Sequence, residues 1–356
     1  MMTNSVILGT GSVIPEMLIP NSHFESHEFY GRDGVRIERS TAEIIAKLES
    51  ITGIKERRYI PANQDSIRIM TDASRLAVED AKLDVNDLSG IIVAHNAGNM
   101  VPQTGAFHTV PNLAAALKNA LDCTNHDCFA YDLLFGCPGW LQGVIQAHQT
   151  IRCGDGRHIL VTGLEIASRM LDPHDVDSMI LADGCGACVI SPSHEGTKGI
   201  VSYSTFSHGQ DDNRIIYLGE SNKKGVEGSC YFHMNGREVY KYATKWVPVV
   251  IKDALDKANI GIGDVDIFLF HQANAKMLCA IAKNLADIYG VPEDAFAGKI
   301  SSTIEFLGNT SVATIPTMLD LILKDKLDGF RIFDGQIAVM ASVGTGMHCN
   351  ALVYRF

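Results

Sequence analysis

Apolar positions along this chain follow two rhythms. The first is a set of short apolar runs: Ser5–Gly9, Gly90–Ala94, Phe129–Gly136, His158–Gly163 and Ile267–Phe270. Runs of this length, bounded by glycine or polar residues, predict strands buried on both faces. The second rhythm has the helical period. It predicts helices near Ser66–Ala81 and Val110–Leu121, from Trp140 onward, over about Arg237–Ala258, and over Lys276–Ile288. Alternation of the two predicts an α/β fold with parallel sheet. A Gly-Thr-Gly-Ser segment after the first run reads as a turn. The stretch from Gln336 to Tyr354 is uncharged, but its Gly, Ser, Thr, His and Asn residues predict a buried strand, loop and strand. Residues 17–39 and 209–228 are polar and read as surface loops, either entrance flaps or solvated excursions.

Composition narrows the function classes. The chain has 356 residues, enough for a large core or two fused halves, and 46% are apolar. A net charge of −11 argues against general nucleic-acid binding. No membrane span and no signal peptide are expected, and nine cysteines then read as free thiols of a cytoplasmic protein. Cys185 and Cys188 have redox or zinc spacing without a second pair, so they read as buried strand residues. Cys123, His126 and Cys128 lie in an apparent turn, and no metal site is expected there.

Three strand-to-helix junctions hold the candidate chemistry. Cys137 follows an apolar strand in Phe-Gly-Cys-Pro-Gly, and Pro138 opens a helix. A cysteine there faces unpaired backbone N–H groups and the positive end of the helix dipole, which favour a thiolate. His271 ends the strand Ile267–Phe270, within His-Gln-Ala-Asn274. Asn309 lies in a Gly-Asn-Thr-Ser turn that opens a further helix. In α/β folds, ligands collect at such strand ends.

Gly-Cys-Pro-Gly, His-Gln-Ala-Asn and Gly-Asn-Thr-Ser, in that order, resemble the β-ketoacyl-ACP synthase III family of the thiolase superfamily. Thr52-Gly-Ile-Lys-Glu-Arg, Leu181-Ala-Asp-Gly-Cys-Gly-Ala and Val343-Gly-Thr-Gly extend the likeness over most of the chain. The resemblance implies two similar halves, residues 1–193 carrying Cys137 and residues 194–356 carrying His271 and Asn309. Together they would form a five-layered α-β-α-β-α core. It implies that Cys137 takes an acyl group as a thioester, with the backbone N–H groups of Cys137 and Thr345 as oxyanion donors. His271 and Asn309 would hold the thioester oxygen of a malonyl-type or β-ketoacyl partner during Claisen condensation. Arg169 and Asn274 would contact coenzyme A, and Lys276 and Lys283 would dock acyl carrier protein. Acyl-CoA and acyl carrier protein are the implied partners, a homodimer the implied assembly, and no metal or organic cofactor is required.

The family's typical enzymes sandwich adenine between a Trp and an Arg just before Thr-Gly-Ile. Here Lys47 and Ile51 take those places. That departure, with the long 17–39 loop, opens three readings: priming of fatty-acid synthesis, ring formation as in dialkylresorcinol or cyclohexanedione synthesis, and pyrone, alkylquinolone or ester formation. A biosynthetic thiolase would need a second catalytic cysteine in the Val343–Gly346 loop, which has none. A non-catalytic partner subunit would be expected to lack Cys137.

Overall fold

Two sheets carry the core, and five of their strands precede residue 194. The structure, a computed structural model, describes residues 4–101, 106–193, 197–212, 214–226 and 230–356. The first sheet contains β1 (Asn4–Val13), β2 (Gly90–His95), β3 (Phe129–Leu134), β4 (Ile159–Ile166) and β5 (Asp183–Ser193), in the order β1-β5-β4-β2-β3. The second contains β6 (Gly199–Ser207), β7 (Ile267–Phe270), β8 (Ile337–Gly344) and β9 (His348–Arg355), in the order β6-β9-β8-β7. The directions repeat as well as the order. The pairs β1/β5 and β5/β4 are antiparallel, as are β6/β9 and β9/β8. The pairs β4/β2, β2/β3 and β8/β7 are parallel. A parallel bridge between Phe268 and Ile300 occupies, beside β7, the place β3 takes beside β2.

The sheets are therefore mixed, where the alternation of strands and helices predicts parallel ones. No α-helix lies between β4 and β5 or between β8 and β9. Without a helical crossover, the chain reverses and pairs antiparallel.

Helices fill the remaining layers. They are α1 (Thr41–Thr52), α2 (Ser66–Asp80), α3 (Leu113–Ala120), α4 (Gly139–Cys153), α5 (Gly236–Ala258), α6 (Ala275–Tyr289) and α7 (Thr314–Leu323). Alternate residues of one strand serve different layers, because side chains point to opposite faces. Ile91 and Val93 of β2 pack with α2 and α3, while Ile92 and Ala94 pack with α4 and α7. Ala338 and Met340 of β8 meet α4 and α7 from the other side, while Val339 and Ala341 meet α5 and α6. Helices α4 and α7 thus lie between the sheets, and the thiolase-like five-layered core follows. Both sheets being covered on both faces explains why their strands read as unbroken apolar runs.

The Gly-Thr-Gly-Ser segment is not a turn but the second half of β1. Its glycines admit a helix instead. A Cβ at Gly11 would stand 2.3 Å from the Ala73 carbonyl oxygen of α2, and one at Gly9 would stand 2.3 Å from the Ala81 nitrogen. Backbone, unlike a side-chain tip, cannot swing away. Gly11→Ala is expected to lower unfolding free energy by about 2–3 kcal/mol, read by urea denaturation.

The two polar stretches are also more structured than their composition suggests. Met17–Pro20 pairs with Glu56–Tyr59, and Phe24 and Phe29 are buried. Ile216–Gly219 pairs with Tyr231–Met234 as a two-stranded ribbon. The stretches meet each other: Lys223 Nζ lies 3.2 Å from Glu28, and the Asn222 side chain donates to the Tyr30 carbonyl at 3.3 Å.

Candidate active site

A short turn presents Cys137. Gly136 has φ +68°, the Gly139 N–H donates to its carbonyl at 2.8 Å, and α4 begins at Gly139 with Pro138 as its cap. The helix starts one residue later than the proline pattern predicts. From β9, the Asn350 amide donates to the Pro138 carbonyl at 3.0 Å and holds the turn. The glycine-rich segment after β8 lies directly against it. A Cβ at Gly344 would stand 2.9 Å from Cys137 Cβ and 3.0 Å from Cys137 N, and one at Gly136 would stand 2.9 Å from Thr345 Cβ. Glycine at both positions lets the two backbones approach and sets Thr345 beside the nucleophile.

β7 delivers His271. Its backbone N–H donates to the Ala341 carbonyl at 2.9 Å, so the sheet fixes the residue. Burial lowers the imidazole pKa to about 4, against the opposing pull of the Ser311 backbone, so the ring is neutral. Its Nδ1 is buried without a hydrogen-bond partner.

Asn309 is held from both sides of its peptide. Its N–H donates to the Ile180 carbonyl at 3.0 Å, and its carbonyl accepts from Ala182 N at 2.9 Å. Its side-chain oxygen accepts from Ser311 N at 2.8 Å. That bond occupies the acceptor end of the amide and leaves the NH2 end to donate.

Cys137, His271, Asn309 and Asn274 line one narrow cavity of about 50 Å³. Its other walls are apolar, chiefly Ile180, Leu181, Phe232, Met234 and Met277. Ile216 comes from the second polar stretch, and Phe232 and Met234 from the strand that pairs with it. Asn274 also caps α6, its side-chain oxygen accepting from Met277 N at 2.7 Å. Arg169, Lys276 and Lys283 are not among the lining residues. Arg169 donates to the carbonyls of Met100, at 3.2 Å, and Gln64, tying the short strand Asn99–Val101 to the loop before α2. Lys276 is exposed on the first turn of α6. Lys283 is exposed on the same helix and paired with Glu293 and, at 3.9 Å, with Asp287.

Apolar surroundings act on the nucleophile against the pull of the helix end. Burial pushes the Cys137 thiol up to about 12, with the Glu165 carboxylate adding to the shift and the Ser311 hydroxyl and backbone N–H opposing it. Burial and the helix N-terminus thus pull the thiol in opposite directions.

Proteins of known family share this chain's sequence and fold. The models for 3-oxoacyl-[acyl-carrier-protein] synthase III and its C-terminal region match residues 131–209 and 255–356. A β-ketoacyl-[acyl-carrier-protein] synthase III of Staphylococcus haemolyticus is 33% identical, covering 99% of each chain. The chain belongs to the β-ketoacyl-ACP synthase III family. The 3-oxoacyl-[acyl-carrier-protein] synthase III of Aquifex aeolicus superposes with a TM-score of 0.79 at 25% identity, over 99% of this chain and 100% of that one. The priming β-ketosynthase of the R1128 polyketide pathway gives 0.79 at 26% identity, over 99% and 96%. Membership makes the protein an acyltransferase of the ketosynthase class.

Sequence reasoning left three residues near the sulfur without a role. Ser311 Oγ lies 3.1 Å from Cys137 Sγ, the Asn96 amide donates to that Oγ at 2.9 Å, and the same amide donates to Glu165. The motif Gly-Asn-Thr-Ser contains Ser311. Only the structure reveals its φ of +47°, unusual for serine, which accompanies its place beside the sulfur.

Proposed function

We propose that the protein condenses a short acyl group, carried as a thioester on Cys137, with a malonyl-type thioester to give a 3-oxoacyl product. One observation carries this reading: Cys137, His271 and Asn309 share a single narrow cavity, with the Asn309 amide anchored by its oxygen so that its NH2 can donate. Attack of the Cys137 thiolate on an acyl thioester produces an oxyanion, and the backbone N–H groups of Cys137 and Thr345 are its donors. The donor thiol leaves and acyl-Cys137 remains. The malonyl thioester then loses carbon dioxide. His271, neutral, and Asn309 hydrogen-bond the thioester oxygen on which enolate charge collects. Neither residue carries a negative charge that would oppose it. The carbanion attacks the acyl-Cys137 carbonyl and releases the free thiol. No step calls for a metal or an organic cofactor.

The cavity favours short acyl groups over the two long chains of a ring-forming enzyme. Exposed Lys47 and Ile51 offer no aromatic surface for stacking adenine. We assign the acyl carrier protein to the exposed face of α6, where Lys276 has no ion pair among the described residues. Asn274 is the residue placed to meet the carrier arm, and Arg169 acts on coenzyme A only through the segments it ties. Residues 1–193 and 194–356 serve as the two halves, one bringing the nucleophile and the other the decarboxylation donors. The edge of β3, unpaired among the described residues, suits pairing with a second copy in a homodimer, which sedimentation would detect.

Intact-mass spectrometry with acyl donors on coenzyme A and on carrier protein tests the reading, followed by malonyl-carrier protein and product analysis. A short acyl adduct and a 3-oxoacyl product are expected; absence of any adduct would overturn it. Lys276→Glu is expected to raise KM for carrier-protein donors about three- to tenfold and leave coenzyme A donors within about twofold. Equal effects on both would remove the docking face.

A further inference from the structure

We propose that Ser311 is a catalytic residue whose hydroxyl donates to the Cys137 sulfur and stabilises its thiolate, in an orientation imposed by Asn96 and Glu165. The inference rests on the acyltransferase reading for the step it serves, and it gives a role to three residues outside the motifs' known chemistry. Ser311 Oγ donates to Cys137 Sγ at 3.1 Å. The serine is 2% exposed, which leaves little room for water to compete for its hydroxyl. A hydroxyl has one proton and accepts through its lone pairs. The Asn96 amide donates to Ser311 Oγ at 2.9 Å, which fills an acceptor site and leaves the single proton for sulfur. An amide turned the other way would present its oxygen, take the serine proton and leave the sulfur without a donor.

Glu165 decides which way that amide faces. It lies in β4, 1% exposed, and the same Asn96 NH2 group donates to its carboxyl. A carboxylate only accepts, so it holds the NH2 end of Asn96 in place. Ile166 N donates to the other carboxyl oxygen at 3.1 Å and fixes the carboxyl in turn. Asn96 directly follows β2, the neighbour of β4, so the sheet sets the spacing of the two positioning residues. The donor serves both half-reactions. In loading, an Sγ–C bond forms, the donor's C–S bond breaks, and the donor thiol leaves. In condensation, the carbanion forms a C–C bond at the same carbon, the Sγ–C bond breaks, and its electron pair returns to Sγ, where Ser311 donates again. Ser311 keeps its proton throughout. Hydrogen bonds to charged groups are the stronger ones, so the donation favours thiolate over thiol and over thioester.

The charges around the sulfur give such a donor its use. Burial raises the Cys137 thiol, and the Glu165 carboxylate adds to the rise. Burial also raises Glu165 itself, to about 8, so its repulsion of the thiolate is present above about pH 8 and absent below. Asp183, on β5, adds to the Glu165 rise and is held by Ser168 and by Ile60 N. His271 is neutral and adds no charge. His95, whose carbonyl accepts from Gly136 N at 3.4 Å, is paired with Asp132 at 3.0 Å.

The test is the rate of alkylation by iodoacetamide against pH, followed at the Cys137 peptide by mass spectrometry. It needs no acyl donor, so its failure is distinct from failure of the acyltransferase reading. The reaction consumes thiolate: the S–C bond forms, iodide leaves, and the thiol proton goes to solvent. Ser311→Ala is expected to hold about tenfold less thiolate at a given pH. The remaining thiolate is more nucleophilic, so the net rate should fall about threefold throughout the range from about pH 7 to 10. Ser311→Gly removes the same hydroxyl while relieving the backbone at φ +47°, and it carries the test if Ser311→Ala melts early. Glu165→Gln keeps an oxygen for Asn96 but loses the charge. It should match wild type below about pH 8 and react about twofold faster or more above it. Slowed Ser311 variants beside a quickened Glu165→Gln form a pattern that a merely disturbed turn does not produce. Alkylation of both Ser311 variants at the wild-type rate or faster, or slowing of Glu165→Gln across the whole range, would overturn the proposal.

Discussion

Cys137→Ala is expected to take up no acyl group from any thioester and to lose condensation by at least about 10⁴-fold. The size of the effect follows from the site's construction. The turn Gly136–Gly139 presents one sulfur to the cavity, and the other cysteines are elsewhere. Cys185, Cys188 and Cys349 are buried within strands, their thiols raised by desolvation. Cys349 is the cysteine closest in sequence to the glycine-rich loop, where a thiolase would place its second cysteine, and it belongs to β9. No second thiol stands ready to replace the first. Folding should survive, because alanine fills most of the same space. The decarboxylation donors are untouched, so Cys137→Ala should still release carbon dioxide from a malonyl thioester. Acyl loading without Cys137 would remove the nucleophile assignment, and loss of both half-reactions would point to a collapsed cavity.

The parts of this fold that the sequence makes legible are those where one local rule governs. Strand β7 is bounded as its apolar run predicts, and α2, α5 and α6 begin and end within about two residues of their patterns. The helices have long periodic stretches, and two have side-chain caps, Asp65 before α2 and Asn274 before α6. Cys137, His271 and Asn309 are legible because polar residues interrupt apolar strands at helix starts. What fails is whatever depends on approach across the fold. Gly9 and Gly11 look like a turn because glycine serves both turns and close packing, and only the position of α2 decides between them. The antiparallel strands follow from missing crossover helices, which a list of apolar runs does not weigh. The ribbon is hidden because Ile216–Gly219 falls within the polar stretch 209–228 and its partner, Tyr231–Met234, lies just beyond it. Ser311, Asn96 and Glu165 come from three separated segments, so no spacing connects them. The burial that raises the Cys137 thiol is hidden for the same reason. The helix end is local and visible, whereas the burial that opposes it is built by residues far apart in the sequence.

His271→Ala and Asn309→Ala are each expected to load acyl groups at near wild-type extent yet to decarboxylate malonyl thioester about 10²- to 10³-fold more slowly. The split follows from where each residue is tethered. Cys137 rests on Gly136, Pro138 and Asn350, none of which depends on the His271 or Asn309 side chain. The decarboxylation donors are held by other means: His271 by its peptide N–H to Ala341, and Asn309 by its peptide bonds to Ile180 and Ala182. Removing a side chain therefore deletes a donor without releasing the backbone. Asn309→Ala carries a second consequence, since its amide oxygen accepts from Ser311 N at 2.8 Å and steadies the serine beside the sulfur. Its loading rate should fall several-fold while its final extent of loading holds, a signature that His271→Ala should lack. Asn309→Asp sharpens the distinction. The carboxylate keeps the bond to Ser311 N and restores loading, but it places negative charge where enolate charge develops and should decarboxylate no faster than alanine. Quenched-flow loading and release of labelled carbon dioxide measure the two half-reactions separately. Normal decarboxylation by either alanine variant would remove that residue from the enolate site, and rapid decarboxylation by Asn309→Asp would show that donation from the amide is not what the reaction uses.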